Sequence, residues 1–281
     1  MRKYLRLART RVSAFAAFAA FTGHVTGHGE LTSGALTAGI GVALLASGAS
    51  GLNQAAERDI DLLMRRTMLR PLPSGELSTR SAVLLSMTFI ASGFMVLAIG
   101  GSGPLAPLLA LCALFIYNGL YTPLKRVTGL AILVGAIAGA MPPAIGWAHS
   151  GSPMSAPLLP ALCLFFYLWQ MPHFWMLLTR HREDYKRAGL PTLWSRLSEP
   201  QVKRISLTWI TATSASGLML PLFGPSGMGN VALALILTAT TVFVVSGILE
   251  TVSGERRSYF LSSNIYMLFI MISLLADSVR L

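Results

Sequence analysis

Hydrophobic residues fall into long runs along almost the whole chain, and short polar segments separate these runs. Most runs have about 17 to 25 residues, the length of an α-helix that crosses the hydrocarbon core of a bilayer. The pattern predicts about nine membrane helices, over residues 12–27, 36–54, 81–100, 104–122, 128–148, 156–178, 205–224, 229–249 and 258–277. We therefore expect an all-α integral membrane protein, with residues 1–281 in a single polytopic domain.

The charged residues strengthen this interpretation. Only 12% of the 281 residues are charged, about half the usual share of roughly 25% in soluble domains. The net charge of +11 would suggest a nucleic-acid partner for a soluble protein, but here the lysines and arginines concentrate in alternate loops. The opposite loops, "HVTGHGELTSG", "GGSGP", "HSGSPMSAP" and "FGPSGMGN", have none. The positive-inside rule then predicts a cytoplasmic N-terminus and an external C-terminus.

An acidic motif follows the second predicted membrane helix, in the stretch "NQAAERDIDLLMRRTMLRP" that begins at Asn53. Asn53, Glu57 and Asp61 are spaced by four, so a helix would project all three from one face. Amide and carboxylate oxygens suit Mg²⁺, which commonly bridges carboxylates to a substrate's phosphates. Three arginines follow, Arg65, Arg66 and Arg70, and their guanidinium groups suit a phosphate. The alternative is a helix end whose charges only face water.

A second acidic cluster follows the sixth predicted helix, where Glu183 and Asp184 are flanked by basic residues that include Arg180. Both clusters lead into a proline turn, "RPLPSG" and "GLPTL", which indicates a weak internal duplication. Two acidic clusters on one side of the membrane suit metal ions on both sides of one diphosphate. The charges of an ordinary cytoplasmic loop remain an equally good explanation.

The fourth predicted helix ends in "YNGLYTPLKRVTG". Tyr117, Tyr121 and Lys125 are spaced by four and are expected to share a helix face. The tyrosine rings would line a channel and Lys125 would reach a phosphate. An interfacial aromatic belt with a lysine that extends to the membrane surface is the alternative.

These motifs together resemble the UbiA superfamily of intramembrane prenyltransferases, and within it the subfamily that farnesylates haem. The superfamily's Asn-x-x-x-Asp-x-x-x-Asp corresponds to the spacing of Asn53, Glu57 and Asp61, and its Tyr-x-x-x-Lys corresponds to Tyr121 and Lys125. The segments "AGAMPPAIGWA", "PHFW" and "EDYKRAGLP" resemble that subfamily. The matches extend from about residue 53 to residue 193.

The chain departs from the family pattern at several positions. Glu57 replaces the commoner aspartate, and Met171 stands where a proline is frequent. The start "LARTRVS" lacks the usual Lys-Pro. The second acidic motif is shorter than the family's, which leaves Asp184 as the main candidate and Glu183 as a helper.

The resemblance implies a helical bundle around a central cavity, with the acidic motifs at one end. It implies that Asn53, Glu57, Asp61 and Asp184 are catalytic and hold Mg²⁺. The groups expected to bind the diphosphate are Arg65, Arg66, Lys125, Arg180 and Tyr121. His173 and Trp175 are weaker candidates for contact with haem, and a packing role for His173 is the alternative.

The implied reaction transfers farnesyl from farnesyl diphosphate to a vinyl group of haem b, which gives haem O for haem-copper oxidases. Haem b is then a substrate and Mg²⁺ the cofactor, with haem A synthase or oxidase assembly factors as possible partners in a bacterial inner membrane. Two alternatives stay open, which are a prenyltransferase for an aromatic acceptor such as 4-hydroxybenzoate and a secondary transporter.

Overall fold

A computed structural model describes residues 1–193, 197–224, 228–253 and 256–279, and every regular element in that part of the chain is helical. The elements are α1 (Arg2–Leu7), α2 (Thr10–His28), α3 (Ser33–Ala56), α4 (Arg58–Leu63), α5 (Thr79–Gly100), α6 (Leu105–Leu114), a π-helix (Phe115–Tyr121), α7 (Thr122–Leu124), α8 (Ala131–His149), α9 (Leu158–Arg180), α10 (Arg182–Arg187), α11 (Glu199–Met219), a 3₁₀ turn (Leu220–Phe223), α12 (Asn230–Ser253) and α13 (Arg256–Ser278).

Eight stretches of the described residues are long and apolar enough to cross a membrane. They are Ser33–Ala56, Thr79–Gly100, Leu105–Leu124, Ala131–His149, Leu158–Arg180, Glu199–Phe223, Asn230–Leu249 and Leu261–Ser278. The remaining predicted helix, residues 12–27, is present as α2 but is not among these eight. Helix α2 packs against α3 and α8, so small residues such as Ala20 and Gly23 serve it better than large apolar ones.

Glycines permit a very close approach between α2 and α8. A Cβ atom at Gly23 would overlap the carbonyl of Pro143, and one at Gly146 would overlap the carbonyl of Ala20. Small residues at such contacts let helix backbones pack closely in a membrane. Together with the packing of α3 against α5, this contact fixes the first half of the bundle, which carries the acidic motif.

The second half of the bundle is held by large aromatic and aliphatic side chains. Phe243 stacks on Tyr266 with ring centroids 4.5 Å apart, and Phe165 meets the same tyrosine edge-on at 5.8 Å. These contacts join α9, α12 and α13. They hold α9 against its neighbours, and the second acidic cluster begins at the end of α9.

Candidate functional site

The acidic motif lies where α3 ends and α4 begins. Glu57 occupies the junction with φ −108° and ψ 13°, so Asn53 and Asp61 belong to two successive helices, where the sequence predicts one. The helical hydrogen bonds continue across the junction, because the Glu57 N–H donates to Asn53 O at 3.0 Å and the Asp61 N–H to Glu57 O at 2.8 Å. The three side chains remain one turn apart and are all at least 97% buried.

Each buried carboxylate of the motif is neutralised by a base from a more distant part of the chain. Glu57 Oε1 lies 2.6 Å from Lys125 Nζ, and the Arg70 Nη1–H group reaches both oxygens of Asp61, at 2.9 and 2.7 Å. Burial lowers the pKa of Arg70, and the Asp61 carboxylate opposes that shift. Acids and bases therefore interleave in a largely buried site, where their attraction is stronger than in water.

The π-helix brings the tyrosines and Lys125 to the same place. The Tyr117 and Tyr121 rings stack with centroids 5.6 Å apart, and Lys125 Nζ lies 5.8 Å from the Tyr121 centroid. The predicted shared face is confirmed, although its helix is of the π type. The Asn53 amide donates through Nδ2 to Thr122 Oγ1 at 3.0 Å, which joins α3 to this segment.

Asp184 lies on α10 and binds the backbone of the segment that follows α4. Its Oδ1 and Oδ2 accept the backbone N–H groups of Arg65 and Arg66, each at 3.2 Å, and Arg187 Nη1 lies 3.7 Å away. Burial acts to raise the pKa of Asp184, but the two N–H donors outweigh it and the pKa is lowered. Asp184 is thus ionised at neutral pH and fixes the position of both arginines. Glu183 is exposed beside it.

A basic cleft of about 650 Å³ opens at this junction. Arg65, Arg66, Arg180 and His181 line it, together with Asp184 and other residues of α10. Burial, and secondarily the charge of Arg66, lowers the pKa of His181. A cleft with this lining suits an anion that carries several negative charges.

The predicted metal ligands are divided between two places. Within the described residues, no three Asp, Glu, His or Cys side chains gather closely enough to share a metal ion. Asn53, Glu57 and Asp61 lie along the α3–α4 junction, whereas Asp184 accepts hydrogen bonds from the backbone N–H groups of Arg65 and Arg66, which follow α4. The amide and carboxylate oxygens of the acidic motif nevertheless fit Mg²⁺, which prefers hard oxygen ligands.

The two haem candidates lie on different sides of α9. The His173 ring lies beside Trp169 with a centroid distance of 5.2 Å. Trp175 is buried in an apolar cluster with Ile60 and Met64. A separation of two positions corresponds to about 200° around a helix, so the side chains of His173 and Trp175 do not form one surface. Trp175 packs against Ile60 of α4.

Some residues near the site are not indicated by the sequence patterns. Arg9, between α1 and α2, has a positive φ of 46°, which is uncommon for a non-glycine residue. Its Nη1 lies 3.5 Å from the hydroxyl of Tyr117, 108 positions away. Thr122 also reaches the acidic motif, through its hydrogen bond with Asn53. Sequence spacing does not reveal contacts over such separations.

Asp59 turns away from the site, as its position half a turn from Glu57 predicts. It forms a paired hydrogen bond with Arg126, at 2.9 Å for each of its oxygens. This bond lowers the pKa of Asp59 and raises that of Arg126. The pair is exposed and lies outside the buried acid–base cluster.

Comparison with known sequences identifies a family. The model of the UbiA prenyltransferase family matches residues 12–271. A protoheme IX farnesyltransferase from Geobacter sulfurreducens is 43% identical over 228 residues, which cover 79% of this chain and 82% of that protein. A protein of the same name from Oleidesulfovibrio alaskensis is 34% identical over 271 residues, which cover 96% of this chain and 94% of the other.

Solved structures share the fold. A UbiA homologue from Aeropyrum pernix, in its apo form, has a TM-score of 0.80 at 20% identity and covers 95% of this chain and 98% of its own. A UbiA homologue from Archaeoglobus fulgidus bound to DMAPP and Mg²⁺ has a TM-score of 0.64 at 16% identity, with coverage of 98% and 99%. The bundle is therefore of the same kind as in these proteins.

Proposed function

The chain belongs to the UbiA prenyltransferase family, and we propose that it transfers farnesyl from farnesyl diphosphate to a vinyl group of haem b, which gives haem O. The observation that carries this proposal is the buried acid–base cluster, in which Glu57 pairs with Lys125 and Asp61 with Arg70. The names of the relatives support both the donor and the acceptor.

Asn53, Glu57 and Asp61 would hold Mg²⁺ through their oxygen atoms. Magnesium bound to the diphosphate acts as a Lewis acid that stabilises this leaving group. The Archaeoglobus fulgidus homologue bound to DMAPP and Mg²⁺ supports a requirement for this metal ion. Asp184, whose oxygens already accept two N–H groups, contributes chiefly by holding Arg65 and Arg66 in place.

The basic residues of the site neutralise the diphosphate. Arg65, Arg66 and Arg180 line the cleft, while Lys125 and Arg70 neutralise the acidic motif until substrate binds. Lys125, with Tyr121 beside it, would also neutralise a diphosphate held at the acidic motif. As the allylic C–O bond breaks, negative charge grows on the diphosphate, and preorganised cations stabilise that charge.

The apolar bundle shields the carbon that loses the diphosphate. Positive charge develops on the farnesyl chain, and exclusion of bulk water limits its capture by hydroxide or water. The vinyl group of haem b is the nucleophile, so haem is a substrate. Its π electrons form the new C–C bond as diphosphate leaves, and the carbocation left on the haem side chain adds water and loses a proton, which gives the hydroxyl group of haem O. His173, beside Trp169, remains a candidate for haem contact, whereas Trp175 supports the site by packing.

The proposed location is a bacterial inner membrane with the acidic motif on the cytoplasmic side. The alternation of basic loops with loops that lack lysine and arginine supports this orientation. The bacterial origin of the relatives supports the inner membrane as the location. Haem A synthase or oxidase assembly factors are the partners that such a product implies. Membership of an enzyme family disfavours the secondary transporter, so the aromatic acceptor is the alternative to test.

A competition between acceptors tests the proposal. The purified protein in detergent receives Mg²⁺, farnesyl diphosphate and equal concentrations of haem b and 4-hydroxybenzoate, and the products are identified by mass spectrometry. We expect only haem to gain the farnesyl group. Farnesylation of 4-hydroxybenzoate instead would contradict the haem assignment and retain the donor. Lys125→Met serves as the impaired control.

A further inference from the structure

Three side-chain contacts join α3 to the π-helix and the residues that follow it. Asn118 Nδ2 donates to the carbonyl of Ala49 at 3.0 Å, Asn53 Nδ2 donates to Thr122 Oγ1 at 3.0 Å, and Lys125 Nζ meets Glu57 Oε1 at 2.6 Å. Ala49, Asn53 and Glu57 are spaced by four, so the contacts follow one face of α3 to the junction at its end. The middle contact involves a residue outside the predicted site, Thr122.

The hydroxyl of Thr122 can form hydrogen bonds with both Tyr117 and Asn53 in only one arrangement. It lies 2.8 Å from the carbonyl of Tyr117, which has no hydrogen to offer, so the hydroxyl hydrogen must point to that carbonyl. The Thr122 oxygen then faces Asn53 only with its lone pairs, which accept a hydrogen bond from the Asn53 amide N–H. The Asn53 side chain therefore presents Nδ2 to Thr122 and its oxygen to the opposite side.

The π-helix makes this arrangement possible. Threonine in an α-helix commonly bonds to the carbonyl four residues earlier, as Thr88 does to Leu84 in α5. Thr122 reaches five residues back, to Tyr117. The wider turn gives Thr122 its place against α3, where it is buried beside Asn53. Single π turns inside α-helices frequently occur at functional sites.

We propose that Thr122 is a positioning residue that fixes the Asn53 amide with its oxygen available to the metal ion, a proposal that rests on the proposed function. Mg²⁺ binds oxygen and not amide nitrogen, so a flipped amide would remove one ligand. Partners that orient metal ligands commonly change metal affinity about 10–100-fold when they are removed. The π-helix supplies this partner by turning Thr122 towards α3.

The test measures metal affinity directly, with Mn²⁺ as a paramagnetic probe in the presence of farnesyl diphosphate. Thr122→Val keeps the shape and removes the hydroxyl, and we expect its Kd for Mn²⁺ to rise about 10-fold. The Mg²⁺ concentration for half-maximal turnover should rise in parallel, with kcat largely recovered at saturating Mg²⁺. Thr122→Ser should restore both values. Thr88→Val, an exposed threonine on α5, should match the wild type.

The outcomes separate this proposal from the proposed function. An unchanged Mn²⁺ Kd in Thr122→Val, even with a lower melting temperature, would show a merely structural role and overturn the positioning role alone. Should the valine variant not fold, Thr122→Ala compared with Thr122→Ser gives the same discrimination. A folded wild-type protein that bound no Mn²⁺ with farnesyl diphosphate would overturn both proposals.

Discussion

At the scale of single residues, the site is a set of acids whose charges are already compensated. Glu57 and Asp61 are each only 3% exposed in their side chains, and each contacts a partly buried base. Removal of one partner from a buried pair leaves an uncompensated charge, which costs much more than the loss of an exposed pair. A base that pairs with a buried acid should therefore affect activity much more than a neighbouring base that pairs with an exposed acid.

Lys125 and Arg126 provide such a comparison. Lys125→Met removes the cation 2.6 Å from Glu57, and we expect kcat/KM for farnesyl diphosphate to fall about 100-fold, which corresponds to about 2.7 kcal/mol. Arg126→Met removes an exposed partner of Asp59 and a hydrogen bond to the carbonyl of Ala56, and an exposed ion pair contributes at most about 1 kcal/mol to stability. Steady-state kinetics of both variants check this. Equal losses in the two would contradict the assignment of Lys125.

His181 should make diphosphate binding depend on pH. Its pKa is lowered in the free protein by burial and by Arg66, and a bound diphosphate would add negative charge that favours the protonated ring. Below about pH 6.5, the ordinary pKa of histidine, binding should therefore take up a proton and become tighter. Calorimetry at pH 6 in buffers with different ionisation enthalpies measures the uptake.

His181→Gln is the control for that measurement, because it retains a polar side chain that does not titrate. Farnesyl diphosphate carries its own titrating groups, so only the difference between the wild type and this variant reports on His181. Identical proton uptake by the two proteins would exclude His181 from the diphosphate site.

At the scale of elements, sequence spacing predicts which side chains face each other better than it predicts the elements themselves. The four-residue spacing of Asn53, Glu57 and Asp61 and of Tyr117, Tyr121 and Lys125 is retained. The junction at Glu57 and the π-helix are not predicted, because both depend on tertiary contacts. The hydrogen bond of Asn118 to Ala49, for example, joins residues 69 positions apart, and no local pattern contains it.

The contact between α2 and α8 gives a prediction at this scale. Gly146→Ala places a methyl group against the carbonyl of Ala20, so the two helices must separate, and overpacking of this kind typically costs about 1–3 kcal/mol. We expect a lower melting temperature in detergent. Gly103→Ala, where an added Cβ meets nothing within 4 Å, is the matched control. Equal melting temperatures would show that the two helices adapt without cost.

At the scale of the whole molecule, hydropathy and charge predict most of the architecture. Most of the long apolar runs correspond to the eight candidate spans. The run at residues 12–27 forms α2, which is not among them and which carries the polar residues Arg11, His24 and His28. The approach of Asp184 to Arg65 and Arg66 joins segments 118 and 119 positions apart. The resemblance names these residues as one site, but only the fold shows that Asp184 binds their backbone.

Detection of haem O is the most direct test of the proposed reaction. The purified protein in detergent receives haem b, farnesyl diphosphate and Mg²⁺, and extracted haems are analysed by mass spectrometry with and without EDTA. We predict a haem O peak that EDTA abolishes and that Asp61→Asn does not produce. A folded wild-type protein that binds farnesyl diphosphate yet gives no haem O, or gives the same amount with EDTA, would contradict the account.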